Sequence, residues 1–519
     1  MPEETFHAVE TGASETGASE TGASETGASA INAPAAGVSV PDASVDVVVV
    51  GGGPVGMLLA VELALRGIRP VVLERLSTPS GESKAGTLHA RTAQTLNRRG
   101  LLDAVGRSSY GSVRFHFSGM FELDLGAVAG EGPTLVGSPQ AWAEQVFADR
   151  ATELGAEIRR GHEVAGLTQD SDRVTLTVDG PAGPYELTAR YVVGADGARS
   201  AVRRLAGIPF TGTEARVAAL MGEVRLLDPL PGGWHRTSRG WLMVWGGHGH
   251  SRIGTYDFRG PHPDREAPVT LEELRSTAEH IAGRPIRMAE PRMLTRYGDA
   301  ALQAGTYRRG RVLVAGDAAH VHFPWGGQGL NTGLEDAVNL GWKLAAQVRG
   351  WAPDGLLDSY HDERHPVAAR VLWNVRAQTA LADPDPRIDP LRELFAELMG
   401  LDQVNDYLGS MISGTGTVYD VGHPGAGRLV PDVELKTTGG VVTLVELLRP
   451  GRPLFLGDRD DLVDVVERWA QRVDTVRVSC DPVLVRPDGY AAWSAPGDAS
   501  TLETALFRWF GEPDQATAT

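Results

Sequence analysis

The apolar pattern begins at Asp46-Val47-Val48-Val49-Val50, a β-branched run with no polar alternation. A strand that is apolar on both faces belongs inside a parallel sheet, so this run predicts a buried central strand. Gly51 to Gly56 follows as a turn, Met57 to Leu65 continues as an apolar helix ending at Gly67, and Pro70-Val-Val-Leu-Glu74 predicts a second strand. Together these form a βαβ unit. Helices are expected from about His89 to Arg99 and from Gln140 to about Leu154, and half-exposed strands over Val174–Val178 and Tyr185–Tyr191. From about Ala206 to Gly298 the pattern is antiparallel-looking, with strands at Val217–Leu226, Trp241–Trp245 and Arg252–Asp257. A second βα signal comes at Arg311–Ala315, followed by a helix from Leu330 to about Arg349, and residues 351–410 read as helices. Beyond the Gly422–Gly427 stretch, residues 430–519 read as a small α/β module closed by a helix over Thr501–Phe510.

The N-terminus stands apart from this pattern. Glu10 to Ser29 is four consecutive copies of Glu-Thr-Gly-Ala-Ser, with nothing apolar enough to bury, so residues 1–43 are expected to form a disordered repeat tail. The 519 residues carry 49 Lys and Arg against 66 Asp and Glu, a net charge of −17. Nucleic-acid backbones and anionic membranes select the opposite sign, so neither is expected as a partner. The longest uncharged apolar stretch is too short to span a bilayer, and no basic residue precedes Arg66, so a cytoplasmic location is expected. A single cysteine, Cys480, leaves no disulfide and no cysteine-based metal site; it follows a β-branched strand and is expected in the core. No metal site is expected elsewhere: no carboxylate is spaced to join His320 and His322, and packing is the role expected of both.

Gly51-Gly-Gly53-Pro54-Val55-Gly56 fits G-x-G-x-x-G directly between strand and helix. Gly51 permits the tight turn, Gly53 lets backbone approach a pyrophosphate, and Gly56 allows close helix–strand packing. The helix opening at Pro54 and Val55 offers free N–H groups to that anion. Glu74, 18 residues after Gly56 and followed by Arg75, is placed to accept hydrogen bonds from a ribose 2′-hydroxyl.

Two further motifs follow: Tyr191-Val-Val-Gly-Ala-Asp196-Gly-Ala-Arg-Ser200, and Arg311-Val-Leu-Val-Ala-Gly-Asp317-Ala-Ala-His320 with Pro324-Trp325-Gly326-Gly327-Gln328-Gly329-Leu330-Asn331. With all three motifs in this order, residues 45–350 resemble the class A FAD-dependent aromatic monooxygenases, the family of p-hydroxybenzoate and phenol hydroxylases. The module after Gly427, with Asp-Glu-Arg-His-Pro at 362–366 and Leu-Val-Arg-Pro-Asp-Gly at 484–489, looks like the thioredoxin-like domain of the longer members, which act in bacterial aromatic polyketide pathways or on rifampicin.

The resemblance implies an α/β fold with a Rossmann-like FAD-binding domain over 44–205 and 299–410. A β-sheet substrate domain would span 206–298 and a thioredoxin-like domain 428–519. It implies non-covalent FAD, NAD(P)H as a transient co-substrate in the absence of a second Rossmann motif, and O2. The reaction implied is hydroxylation of a polycyclic aromatic polyketide-type molecule through a flavin C4a-hydroperoxide. Asp317 would bond the ribitol chain, and the helix opening at Leu330 and Asn331 would face the flavin edge that carries charge when reduced. Lys84, Arg91, Gln140, Val164, Asp196, Pro324, Gly327 and Gly329 match the cofactor positions. Met221, Trp241, Met243, Trp245 and Trp325 are expected to wall the substrate pocket, and no side chain is required as a nucleophile. Three alternatives stay open: Baeyer–Villiger insertion on the same substrates, a flavin dehydrogenase, and a non-catalytic FAD-loaded partner. A homodimer is left open too.

Overall fold

The computed structural model describes residues 45–514 apart from 110–113, 265 and 438. The repeat tail expected over 1–43 lies outside these residues. The βαβ reading holds: Val45–Val50 is the centre of a parallel sheet whose order is Val312–Val314, Gly183–Gly194, Val45–Val50, Val71–Glu74, Glu157–Arg160. Val47, Val48 and Val49 have no exposed surface, which is why this run carries no polar alternation. The long strand Gly183–Gly194 does two jobs. Its second half joins the parallel core, while its first half pairs with Val174–Gly180 and, through it, with Glu163–Gln169.

Helix Pro54–Leu65 packs against the 22-residue helix Gln328–Arg349. The approach is close enough that a Cβ on Gly341 would lie 2.4 Å from the Cβ of Glu62, so glycine is required there.

The expected substrate domain is a five-stranded antiparallel sheet ordered Gly233–Thr237, Gly240–Trp245, Gly249–Asp257, Ala218–Leu226, Met288–Gly298. It includes one element the apolar pattern did not signal, helix Leu271–Ala282. That helix is capped by the Thr270 side chain, which accepts from Glu273 N, and ends at left-handed Gly283. Its Leu274, Ala278 and Ile281 cover the sheet face formed by Leu220, Val224, Leu242, Val244 and Ile253. The opposite face, with Trp241, Met243 and Tyr256, packs against Phe323 and Trp325.

The C-terminal module is a four-stranded sheet ordered Asp474–Val476, Leu454–Leu456, Val483–Val485, Ala491–Ser494, with helices Asp460–Glu467 and Ala499–Phe510. One apolar cluster, with Leu444, Leu448, Leu454, Leu456 and Val485, is its own, and a second is shared. Leu484, Tyr490 and Trp493 share one apolar cluster with Trp342 of the long helix and with Tyr419. Cys480 corrects the expectation of a core thiol, because it is exposed. It sits in a loop ahead of Val483–Val485, where its side chain has no apolar layer to enter.

Candidate active site

The first glycine turn is built by close approach. A Cβ on Gly51, whose φ is +111°, would lie 2.3 Å from the carbonyl oxygen of Ala195, and one on Gly56 would lie 2.0 Å from the Gly51 oxygen. Over Gly53 the opposite holds: nothing lies within 4 Å of that direction. A turn sealed beneath and open above Gly53, leading into a helix with free N–H groups, fits a pyrophosphate. Glu74 is fixed beside it, accepting from Gly52 N at 2.6 Å and Leu76 N at 2.8 Å. Asp196 accepts from Val202 N through Oδ2, while its buried Oδ1 has no partner.

The second half of the cradle is the 316–331 segment. Val55 wedges between Gly316 and Gly333, whose Cβ positions would be 3.0 and 2.7 Å from its Cγ2. The Gly316 loop is also held from below. Asp336 Oδ2 accepts from Gly316 N at 3.1 Å and from His320 Nε2 at 2.7 Å, and Arg364 Nε donates to Oδ1 at 2.7 Å. Burial alone would raise the pKa of Asp336, but Arg364 and His320 outweigh it and keep the carboxylate ionised. His320 therefore has the carboxylate partner that its spacing did not reveal, sixteen residues on and one helix away. Asp317 is exposed at this loop; the protein around it raises its pKa, opposed by the charges of His320 and Lys84.

Gly326 and Gly327 both take positive φ, at 75° and 63°, to turn the chain into helix Gln328–Arg349. Pro324 and Gly327 are exposed along this turn, with Gly329 and Leu330 partly so. Asn331 ties the turn to a distant strand: its Oδ1 accepts from His89 N at 2.8 Å, and its Nδ2 donates to Thr87 O and Gly327 O. His89 Nε2 donates to Gly326 O at 2.8 Å, and burial pushes the pKa of this ring down to about 4, so it stays neutral. The cradle fits FAD: open glycine turn, loop aspartate, and helix N–H groups aimed where a flavin edge would carry charge.

Several expected cofactor residues lie elsewhere or act indirectly. Arg91 is 7 % exposed, with Nη2 donating to Thr415 O at 2.9 Å and Nη1 to Gln94 Oε1 at 3.0 Å. Its guanidinium is committed to the loop after residue 413. Gln140 accepts from Ala85 N at 3.3 Å and so holds the segment bearing Lys84, which is itself exposed, as is Arg75. Val164 is buried in the main core on strand Glu163–Gln169.

The pocket expectation divides. Trp241, Met243 and Trp325 are buried in an aromatic core, Met221 is partly buried, and Trp245 is 43 % exposed. Beside Trp245 stand three rings that the sequence pattern did not single out, Trp234, Phe121 and His116, of which Phe121 is 47 % exposed. Trp234 stacks on Trp325 with centroids 5.2 Å apart and meets Trp245 edge-on at 6.1 Å, while Phe121 lies 6.4 Å away. His116 completes the slot, 4.6 Å from Trp234. Phe121 and His116 come from a hairpin, Arg114–Phe117 with Met120–Asp124, that belongs to the cofactor half of the chain. A cavity of about 1340 Å³ lies remote from this site, between the helix ends at Arg66 and Arg349 and the C-terminal module at Arg452 and Arg472. No group of side chains suited to a metal ion occurs among the described residues.

Residues 44–375 match the FAD-binding-domain family, and residues 423–513 match the C-terminal domain of aromatic-ring hydroxylases. A 12-dehydrotetracycline 5-monooxygenase/anhydrotetracycline 6-monooxygenase from Streptomyces rimosus is 42% identical over 501 residues, covering 90% of this chain and 99% of that one. A dialkyldecalin synthase from Streptomyces rugosporus is 39% identical over 474 residues, covering 90% and 98%. Among solved structures, CabE, an aromatic hydroxylase from angucycline biosynthesis, superposes with a TM-score of 0.86 at 41% identity, covering 91% of this chain and 100% of that chain. This chain belongs to the class A FAD-dependent monooxygenases that carry an aromatic-ring hydroxylase C-terminal domain.

Proposed function

We propose that this monooxygenase transfers one oxygen atom of O2 to an electron-rich carbon of a polycyclic aromatic, polyketide-type molecule, with NAD(P)H as the reductant. The carrying observation is the aromatic slot of Trp234, Phe121, Trp245 and His116, which backs onto Trp325 beside the flavin turn. FAD supplies the chemistry when bound, accepting hydride and activating O2. The chain's own residues place and protect it. The Gly51–Gly56 turn and its helix would hold the pyrophosphate, Asp317 would accept from a ribitol hydroxyl, and the N–H groups at Leu330 and Asn331 would stabilise negative charge on the ring edge. His89 and Asn331 keep that turn rigid, and the apolar rings keep water from the reacting face. The acidic charge, and the lack among the described residues of a helix long and apolar enough to cross a membrane, support a cytoplasmic enzyme with a small-molecule partner.

A second reading rests on the dialkyldecalin synthase, which is nearly as similar as the monooxygenase. In that reading this chain would hold FAD without turning it over, and the slot would shape a substrate rearrangement. The two are separated by incubating holoenzyme, NAD(P)H and isotopically labelled O2 with anhydrotetracycline and a panel of polycyclic phenols. Mass gain of one labelled oxygen atom supports hydroxylation or Baeyer–Villiger insertion, which NMR of the product distinguishes. Conversion at unchanged mass supports the rearrangement, and loss of two hydrogens a dehydrogenase. Absence of labelled product from every candidate sinks the oxygenation proposal.

A further inference from the structure

His116 is held in an unusual position. Its hairpin turns through Ser118 and Gly119, both at positive φ, and a Cβ on Gly119 would lie 2.4 Å from the Trp241 ring. Ser118 pins the turn to helix Ser359–Leu381, its N–H donating to Gln378 Oε1 at 3.0 Å and its hydroxyl to Gln378 O at 2.7 Å. The imidazole that results is 6 % exposed and surrounded by rings: Trp234 at 4.6 Å, Phe115 at 4.8 Å, Phe121 at 5.5 Å and Trp325 at 5.9 Å.

Its protonation is set by these surroundings. Burial pushes its pKa down to about 3, reinforced by nearby His89, so the ring is neutral at any working pH. Nδ1 is turned toward Gly119 N at 3.4 Å, where only a lone pair is tolerated, so the ring proton is on Nε2. That Nε2–H has no partner among the described residues. Unlike Nδ1 of His89 and Nε2 of His322, it is not sealed inside the protein. A neutral donor of fixed tautomer, set in a wall of aromatic faces and open to the slot, is available to an acceptor that displaces water there.

We propose that His116 is a specificity-determining residue, whose Nε2–H receives a carbonyl or phenol oxygen of a flat aromatic ligand lying against Trp234 and thereby selects which edge of that ligand enters first. The inference rests on the aromatic-slot reading above and adds the polar contact that would orient the ligand. A neutral donor suits a quinone or phenol oxygen; a free carboxylate would call for a cation in its place.

The test uses the holoenzyme without NAD(P)H and two probes of equal shape and charge, anthraquinone-2-sulfonate and anthracene-2-sulfonate, with binding followed by flavin absorbance and ring fluorescence. The wild type is expected to bind the quinone about tenfold more tightly than the arene, the scale of one hydrogen bond made or left unmade. His116→Phe should bring the two dissociation constants within about twofold by weakening the quinone alone, and His116→Gln, which keeps a donor, should restore part of the preference. Retained FAD and an unchanged melting temperature show that the variants fold. A preference that survives in His116→Phe, while Trp234→Ala weakens both probes, overturns the role of His116 and leaves the slot standing. If neither probe binds the wild type, or Trp234→Ala weakens neither, the slot is not the aromatic site and both readings fall.

Discussion

The guanidinium of Arg486 closes on both carboxylate oxygens of Glu363, at 2.5 and 2.9 Å, with neither residue more than 6 % exposed. Arg486 belongs to the C-terminal module and Glu363 to helix Ser359–Leu381, so the pair joins that module to the cofactor half. Lys343 and Asn339 of the flavin helix complete the carboxylate at 2.8 and 2.7 Å. The next residue, Arg364, holds Asp336 beneath Gly316. The two short motifs at 362–366 and 484–489 are therefore the halves of one buried contact.

Breaking it should cost far more than a surface ion pair. Arg486→Ala leaves Glu363 and Asp488 without their shared partner, so a loss of about 3–5 kcal/mol is expected. Glu363→Gln should lose less, and the double variant less than the sum of the two singles. Thermal melts of holoenzyme check this. Burial raises the pKa of Glu363, but Arg486 and Lys343 outweigh it and hold the group at about 2, below its ordinary 4.5. Its contribution is thus complete above pH 4.5 and lost as pH falls toward 2; Glu363→Gln should flatten that acid limb.

Glu335, buried on the flavin helix, behaves in the opposite sense. Burial lifts its pKa to about 7 against the pull of Arg364, Arg91 and the Thr95 hydroxyl. A carboxyl raised in the fold destabilises it as pH climbs from about 4.5 to 7, because the folded state then holds the extra proton. Glu335→Gln should leave the melting temperature near pH 4.5 unchanged and raise it at pH 8, with a gain of about 3 kcal/mol at most. An equal shift at both pH values would show that Glu335 is not the titrating group.

The glycines of the first turn should separate by function. Gly53→Val has open space for its side chain, so the protein should fold while FAD affinity falls at least about a hundredfold, as the pyrophosphate position is filled. Gly51→Ala meets the Ala195 carbonyl at a positive φ and should instead lower expression and stability. Asp317→Ala should cost about 1–3 kcal/mol of FAD binding. Titration of apoprotein with FAD, beside circular dichroism, measures all three.

Cys480→Ser should leave NAD(P)H oxidation and product formation unchanged. The residue is exposed, and partial shielding of the thiol from water together with Asp458 and Asp481 raises its pKa, so little thiolate is present at neutral pH. A halt in turnover with FAD still bound would place the thiol in the electron path.

The parts of this protein that local chemistry dictates were legible in its sequence. The Val47–Val50 run could only be a buried parallel strand, and the Gly51–Gly56 turn could only admit backbone where it does, because both follow from side-chain shape within a few residues. The same holds for Gly326-Gly327 leading into its helix. Tertiary structure decided the rest, since it brings together residues far apart in the chain. His320 meets Asp336 on the helix Gln328–Arg349, Arg91 donates to the backbone of residues 414 and 415, and Arg486 reaches Glu363 over a separation of 123 positions. The slot is the clearest case. Its His116 and Phe121 come from a hairpin in the cofactor half and its Trp234 and Trp245 from the antiparallel sheet, while Trp241, in the same strand as Trp245, is buried behind them. Strand alternation puts Trp241 and Trp245 on one face; only packing against Phe323 and Trp325 determines which of the two faces open space.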